Sequence, residues 1–209
     1  KRSTWVDGLV QSNVEDGGAR LWSEDLAPFR SSPPPVEAVA DHEGISRQDS
    51  RAWIRMDGHT YPVQQRTTDE QWQLVPREGV GPLLQHNGAG AWRLWRESPL
   101  DWSTSHYLFR RLGEPMAELD DTRIEQVMAI HALDDDQLRG LHFRGADLLP
   151  ALIDTSRRAH LAQRTENLLM QLRTGVVIED QRLLAQVVQL TGGEGLSSSD
   201  LAAQLDARR

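Results

Sequence analysis

The sequence predicts an α+β fold, in which a small antiparallel β-sheet module at residues 1–115 precedes an α-helical module at residues 116–209. All seven tryptophans lie between Trp5 and Trp102, and nine of the ten prolines precede Met116. Before this point short β-branched and aromatic segments alternate with turn signals, whereas after it apolar residues recur at helical spacing. The change of pattern places the boundary between the two modules near residue 115.

The β module is built around a predicted hairpin. The segments Ala52–Met56 and His59–Val63 flank Asp57-Gly58, a dipeptide that accepts positive φ and is typical of a two-residue type I′ turn. Pro62 lies in the second segment and has no amide hydrogen to donate to a neighbouring strand. We therefore expect that strand to lie at an edge of the sheet or to contain a bulge.

Two further segments extend this sheet. Gln71–Val75 alternates apolar and polar residues and predicts a third strand, and Ala91–Trp95 predicts a fourth. The proline-rich stretch Pro28–Pro35 is predicted to be a loop, since successive prolines cannot donate to a β-ladder, and a short strand at Arg20–Ser23 precedes it. The tryptophans expected in the core of the sheet are Trp53, Trp72 and Trp92.

The helical module is predicted from apolar residues three or four apart and from acidic or hydroxyl residues at the helix starts. Pro150 is tolerated in a first helical turn, and Gly175 is expected to end a helix. The predicted helices cover residues 119–132, 134–142, 148–173 and 180–190, with a last helix capped by Ser198 or Ser199.

The composition limits the classes of function. A formal net charge of −8 argues against a broad electrostatic surface for nucleic acid. The absence of cysteine excludes disulfides, cysteine-ligated zinc and a thiolate nucleophile within this sequence. No apolar run approaches the length of about 18 residues that a transmembrane segment needs. The first residues lack the apolar core of a signal peptide and the last ones stop within a predicted helix, so we expect a piece of a larger protein.

No cofactor and no metal site is predicted. The HExxH pattern does not occur, and the Asp134–Asp136 run lacks the glycine and glutamate positions of a calcium-binding EF-hand loop. The glycines near residue 90 match neither a dinucleotide-binding nor a phosphate-binding motif. Capping of a helix is the simpler role for the acidic run.

Five residues are candidates for binding: His86, Asn87, Trp92, Trp95 and Trp102. The string HNGAGAW at 86–92 combines a histidine with small residues that let a ligand or another part of the backbone approach closely. The same string is typical of a structural turn with Asn87 or Gly88 at positive φ. The tryptophans offer a stacking platform or an interface anchor, and they also suit a core.

No residue is assigned a catalytic role. Trp102–Ser105 resembles the Ser-Thr-Ser strand of ADP-ribosyltransferases, but the Glu-x-Glu or Gln-x-Glu pair that those enzymes require does not occur. A hydrolase arrangement drawn from residues 103–106 with Asp101 has no GxSxG motif, and adjacent residues on a strand face opposite sides. A cryptic toxin enzyme of either kind remains an alternative function.

The hairpin with Asp57-Gly58 and Tyr61, together with Trp72, HNGAGAW at 86–92, Pro99 and Trp102, resembles a segment of very large bacterial secreted toxins with dermonecrotic-toxin-like helical regions. The strings LRGLH at 138–142 and LPALIDT at 149–155 are similar to the helical continuation of that segment. The resemblance covers about Arg51–Arg158. Pro62 departs from the pattern, in which a basic residue follows the tyrosine.

The resemblance implies a biological setting. Many of these toxins also carry leucine-rich repeats and a novel-type E3 ubiquitin ligase domain, and they are delivered into host cells as virulence effectors. The nucleophile of that ligase domain is a cysteine, and this sequence has none, so this piece is not the ligase domain even where its parent protein is a ligase.

The function expected is therefore that of a non-catalytic recognition, spacer or delivery module within a secreted, multidomain bacterial toxin. Its partners would be other domains of the parent protein or host proteins, through protein–protein interaction and without nucleic acid. Besides the cryptic enzyme, an intramolecular inhibitory module that packs on a neighbouring domain through its acidic helices is a further alternative.

Overall fold

A computed structural model describes residues 25–35, 37–76, 78–145 and 150–208, so the predicted strand at 20–23 lies outside the described residues. The predicted α+β class is confirmed, because a small antiparallel sheet in the N-terminal part is followed by helices. The strands are β1 (Ile45–Gln48), β2 (Arg51–Met56), β3 (His59–Gln65), β4 (Trp72–Leu74), β5 (Leu84–His86) and β6 (Trp92–Leu94). The α-helices are α1 (Ser105–Arg110), α2 (Asp121–Ile130), α3 (Asp135–Phe143), α4 (Pro150–Thr174), α5 (Gln181–Thr191) and α6 (Ser198–Asp206).

The chain divides into two compact units. The first unit comprises Lys1–Ala117 and Leu133–Leu148, and the second unit comprises Glu118–Ala132 and Leu149–Arg209. The first break lies close to the predicted boundary at residue 115, but α3 belongs to the first unit rather than with the other long helices. α3 buries Leu138 and His142 and packs against α1, a tertiary contact that helical spacing alone does not reveal.

The main sheet of the first unit is antiparallel and has the strand order β1-β2-β3-β4. The predicted hairpin is confirmed: β2 and β3 are joined by Asp57 (φ 49°) and Gly58 (φ 74°), the left-handed pair that a type I′ turn requires. β6 forms as predicted from Trp92 to Leu94, but it pairs with β5 in a separate two-stranded sheet. The sequence analysis missed β1 and β5.

The position of Pro62 corrects the expectation that its strand lies at an edge or contains a bulge. β3 lies between β2 and β4, and its register with β2 is regular from the turn to Val63. The Pro62 carbonyl accepts a hydrogen bond of 2.9 Å from the Val75 amide, just beyond the end of β4. Because the amide and carbonyl of one strand residue point to the same side, the proline costs one bond at the end of the β4 ladder and none with β2.

The core of the first unit lies on the sheets. Trp53 and Trp92 are buried as predicted, whereas Trp72 is half-buried at the margin of the core. Gln73 is buried next to it, since an isolated bridge to Leu83 continues the main sheet towards β5. The buried cluster consists of Ile45, Ile54, Met56, Tyr61, Val63, Leu74, Leu84, Trp92 and Leu94.

The second unit is helical and has a core of leucine and other aliphatic side chains. Asp120, Asp180 and Ser197 cap α2, α5 and α6, each side chain accepting a hydrogen bond from a backbone amide of the first turn. The cap of α6 is therefore Ser197 rather than the predicted Ser198 or Ser199. Gly175 follows α4 with φ 70°, as expected for a helix end. The core cluster consists of Leu168, Leu169, Leu172, Leu183, Val187, Leu201 and Ala202.

Among the described residues, none of the helices has the combination of length and apolarity needed to cross a membrane.

Candidate functional site

Asn87 holds together the turn between β5 and β6. Its side-chain Oδ1 accepts hydrogen bonds from the amides of Ala89 (2.8 Å) and Ala91 (2.9 Å), and its own amide donates to the Ala91 carbonyl (3.0 Å). Gly88 takes the positive φ, at 84°. The buried Asn87 oxygen is thus engaged by the backbone of its own turn.

His86 lies half-buried on the same turn. Its Nδ1 is 3.2 Å from the Gly88 amide and its Nε2 is 2.9 Å from the Gly90 amide. A neutral imidazole has one acceptor nitrogen, so it accepts from one of these two amides at a time. Burial lowers the pKa of His86, and the Glu43 carboxylate and carbonyl oppose that shift. The ring therefore supports the turn as a neutral acceptor.

Trp92 is a core residue rather than a binding platform. Its Nε1 donates to the Glu43 carbonyl at 2.7 Å, and its ring stacks at 4.5 Å on His86 and meets Trp72 edge-on at 6.1 Å. The indole is buried, and its one polar group is satisfied inside the first unit.

Three chain segments meet at the carbonyl of Gly90. A Cβ placed on Gly44, whose φ is 75°, would lie 2.5 Å from this oxygen, and one on Gly113 would lie 3.0 Å from it. Small residues are therefore needed here for the backbone itself to approach closely, not for a ligand. The close approach fixes the turn at 87–91 against the rest of the first unit.

The other two candidate tryptophans have different environments. Trp95 is 55% exposed and follows β6, with its backbone amide donating to the Leu83 carbonyl at 2.8 Å. Trp102 is buried between Tyr107 and His142, whose rings meet it edge-on at 5.4 and 4.9 Å. Of the five predicted binding residues, Trp95 is the one exposed on the surface, while His86 is half-buried and the rest are buried.

A buried ion pair beside Trp102 was not predicted. The Arg111 guanidinium forms two hydrogen bonds of 2.9 Å with the two Glu97 oxygens, and also donates to the Tyr107 hydroxyl at 2.7 Å and the Trp92 carbonyl at 3.3 Å. Its Cζ lies 4.4 Å from the Trp102 ring centre. The paired geometry with four polar and aromatic neighbours is the arrangement in which a buried arginine is stable.

The charges of this pair are mutually stabilised. Burial on its own would raise the pKa of Glu97 and lower that of Arg111, but their hydrogen bonds and opposite charges outweigh burial in both cases. The pKa of Glu97 is lowered and that of Arg111 is raised as a result. Glu97 Oε2 also accepts from the Leu94 amide at 2.8 Å, which ties the pair to the end of β6.

A second buried arginine connects β6 to α3. Arg93 Nη1 donates to the His142 carbonyl at 2.7 Å, and its guanidinium lies 5.3 Å from the Phe143 ring centre. The His142 ring is 2% exposed, and its Nε2 lies 2.8 Å from the Leu108 carbonyl. Together with the ion pair, these groups form the polar cluster of the first unit, defined as Arg93, Glu97, Trp102, Tyr107, Arg111 and His142.

The Ser-Thr-Ser segment does not form a strand, which corrects the comparison with ADP-ribosyltransferases. Thr104 is the N-cap of α1, accepting from the Tyr107 amide at 3.3 Å, and Ser105 begins the helix. The Ser105 hydroxyl donates directly to Asp135 Oδ1 at 2.5 Å, so this serine is held to α3 by a carboxylate. Thr104 and Ser105 thus serve helix capping and packing.

A shallow recess opens beside the hairpin turn. It is bounded by Asp57, Gly58, Trp92, Arg111 and Glu114 and encloses about 20 Å³, close to the space that one water requires. A small-molecule cofactor needs far more volume. In the described part of the chain, no three His, Asp or Glu side chains lie close enough together to hold a metal ion.

The polar cluster was not predicted from the sequence, because its members are far apart in the chain. Glu97 and Arg111 are separated by 14 positions, and Arg93 meets His142 across 49 positions. Each is an ordinary residue type in an arginine-rich sequence. Of its members only Trp102 was named from the sequence, as one of the candidate tryptophans.

Neither a protein-family model, nor a curated protein, nor a solved structure matches this chain at a significant level.

Proposed function

We propose that this chain is a recognition module of a larger bacterial secreted toxin or effector, and that it acts by binding another protein. The setting comes from the motifs between Arg51 and Arg158. A spacer role and a delivery role are the other non-catalytic functions expected in such a protein. The partner is either another domain of the parent protein or a host protein.

The observation that carries the proposal is how the candidate polar groups are used. The Asn87 oxygen accepts two backbone amides, the Arg111 guanidinium is held by Glu97 and Tyr107, and the Ser105 hydroxyl is held by Asp135. These groups support the fold of the first unit. Chemistry on a substrate would require them to exchange these internal partners.

The surface of the first unit includes exposed apolar side chains. Trp95 and Leu100, five positions apart in the loop between β6 and α1, are 55% and 65% exposed. Exposed tryptophan is costly for solubility and is enriched at the centres of protein interfaces. We therefore assign Trp95 and Leu100 as the anchor residues of the binding surface.

Binding is tested with the purified chain against the remaining domains of the parent protein and against host proteins. The double variant Trp95→Ala/Leu100→Ala is expected to weaken the Kd at least tenfold, since an interface anchor contributes about 1.4 kcal/mol or more. Val39→Ala, which removes another exposed apolar side chain of the first unit, is the control. Equal Kd values for the double variant and the parent would contradict the assigned surface.

Turnover is tested separately. The chain is incubated with NAD, nucleotides, peptide and ester substrates, and a charged ubiquitin-conjugating enzyme, beside the variants His86→Ala and Asp101→Ala. Turnover that disappears in either variant would overturn the recognition role in favour of the cryptic enzyme. Tight binding to neighbouring domains with loss of their activity would instead identify the chain as an inhibitory module.

A further inference from the structure

His142 occupies a closed site near the end of α3. Its Nε2 lies 2.8 Å from the Leu108 carbonyl on α1, and a carbonyl can only accept, so Nε2 carries the proton of the neutral ring. The edge of the ring meets the Trp102 indole at 4.9 Å. A second proton would have to enter at Nδ1 in a side chain that is 2% exposed.

The charges around His142 are mainly positive. From β6, Arg93 donates to the His142 carbonyl at 2.7 Å, and from the end of α1, Arg111 lies over the Trp102 ring that also contacts His142. Glu97 is the nearby acid, and its two oxygens are already held by Arg111. The other charged or titratable groups on the elements packed here are Asp101 before α1, His106, Tyr107 and Arg110 on α1, and Asp135, Asp136 and Arg139 on α3.

Protonation of His142 therefore adds a cation to a buried site that already holds two. Burial, followed by the charges of Arg111 and Arg93, lowers the pKa of His142 to about 4 from its ordinary 6.5. Above pH 6.5 the ring is neutral in both the docked and the undocked state, so the docked state has its full stability. That stability is lost progressively as the pH falls from 6.5 to about 4, because only the undocked state binds the proton in that range.

The contacts that hold α3 are spread along its length. Leu138 and His142 are its buried side chains, Asp135 accepts from Ser105, and Arg139 donates to the Trp102 carbonyl at 3.3 Å. The core cluster of the sheets contains no residue of α3. Loss of the α3 contacts would leave that core intact.

We propose that α3 is an acid-released latch of the first unit, docked on α1 while the His142 ring is neutral and undocked when the ring takes up a proton in mildly acidic solution. Release exposes the face of α1 around Leu108 and the Trp102 indole. The sheet with β2 and β3 stays folded.

The test is residue-resolved hydrogen exchange on the whole chain between pH 6.5 and 4.8, with rates corrected for the intrinsic effect of pH. Protection of the α3 amides is expected to fall by up to about 50-fold, the ratio set by 1.7 pH units of a one-proton linkage. The α3 amides are expected to be less protected than those of β2 and β3 at every pH in this range, because α3 opens while the sheet stays folded. Equal protection of α3 and the β2–β3 hairpin would indicate a single global unfolding and would overturn the latch.

A variant tests whether protonation of His142 causes the pH response. His142→Gln keeps an N–H donor for the Leu108 carbonyl but does not titrate, so its α3 protection is expected to be independent of pH over this range. His59→Gln, which replaces an exposed histidine of β3, is the matched control and should respond as the parent does. A full pH response in His142→Gln would refute the assignment to His142.

An NMR titration of the histidine rings in the parent chain covers the case in which His142→Gln fails to fold. The His142 ring is expected to titrate below its ordinary pKa of 6.5 and in step with the undocking of α3. Titration near pH 6.5 with α3 still docked would overturn the proposal.

Discussion

The two units of this chain are stabilised in different ways. Among the described residues, the first unit buries Thr60, Gln73, Asn87, Arg93, Arg111 and His142, whereas the second unit buries one polar residue, Ser156, within an aliphatic core. The Arg111–Glu97 pair of the first unit is 3% and 24% exposed, while the Arg164–Asp180 pair of the second unit is 36% and 28% exposed. Similar Arg–carboxylate pairs therefore bury the arginine in one unit and leave it partly exposed in the other.

The largest expected effect tests the buried pair. Arg111→Met is expected to lower the free energy of unfolding of the first unit by about 3–5 kcal/mol, because it leaves the Glu97 carboxylate without its cation in a poorly hydrated site. Urea denaturation followed by tryptophan fluorescence measures this, since all seven tryptophans precede Ala117. A loss below about 1 kcal/mol would place this pair in the surface class and remove the contrast between the units.

A smaller loss of unfolding free energy is expected for alanine substitutions at two glycines, of which Gly44 is in close contact with another backbone segment and Gly175 lies in open space. Gly44→Ala is expected to cost about 2–4 kcal/mol, since the new Cβ would clash with the Gly90 carbonyl and the residue must also keep a positive φ. Gly175→Ala in the second unit has the same sign of φ but open space around it, so about 1–2 kcal/mol is expected from backbone strain alone. Equal losses of free energy in the two variants would show that the close approach at Gly90 adds nothing.

The smallest effect concerns the exposed pair of the second unit. Arg164→Met is expected to change the free energy of unfolding by about 0.2–1 kcal/mol, because solvent screens the pair and the Asp180 side chain still caps α5 through the Leu183 amide at 3.0 Å. Far-UV circular dichroism during urea denaturation follows the helices. Dependence of this small effect on salt, together with no salt dependence for Arg111→Met, would sharpen the comparison.

The same contrast explains how much the sequence could predict. Asp57-Gly58 and the capping residue Asp120 act on their immediate neighbours, so the hairpin and the start of α2 followed from local rules. The edge or bulge predicted from Pro62 was wrong, because the place of this residue in the sheet depends on where β4 ends, which is not a local property. The candidate tryptophans could be identified from the sequence, but it could not be predicted which are buried and which are exposed. The burial of Trp92 and the exposure of Trp95 depend on segments far away in the chain.

The polar cluster could not be predicted either, because it depends on contacts between residues that are far apart in the chain. Glu97 lies in the turn after β6, Arg111 follows α1 and His142 lies on α3, and nothing in their spacing links them. The assignment of α3 to the first unit depends on its contact with α1 and on the Arg93 bond to the His142 carbonyl. Helical periodicity described the second unit well because its core repeats along each helix.

The path of the chain between the units has a consequence for inheritance. The chain leaves the first unit after Ala117, contributes α2 to the second, and returns at Leu133 to supply α3. A genetic exchange that moved only the stretch up to Ala117 would leave Arg93 without the carbonyl it binds and Leu108 without its imidazole partner. A transfer of the complete first unit must therefore carry α2 of the second unit with it. The two units should be gained and lost together in descent.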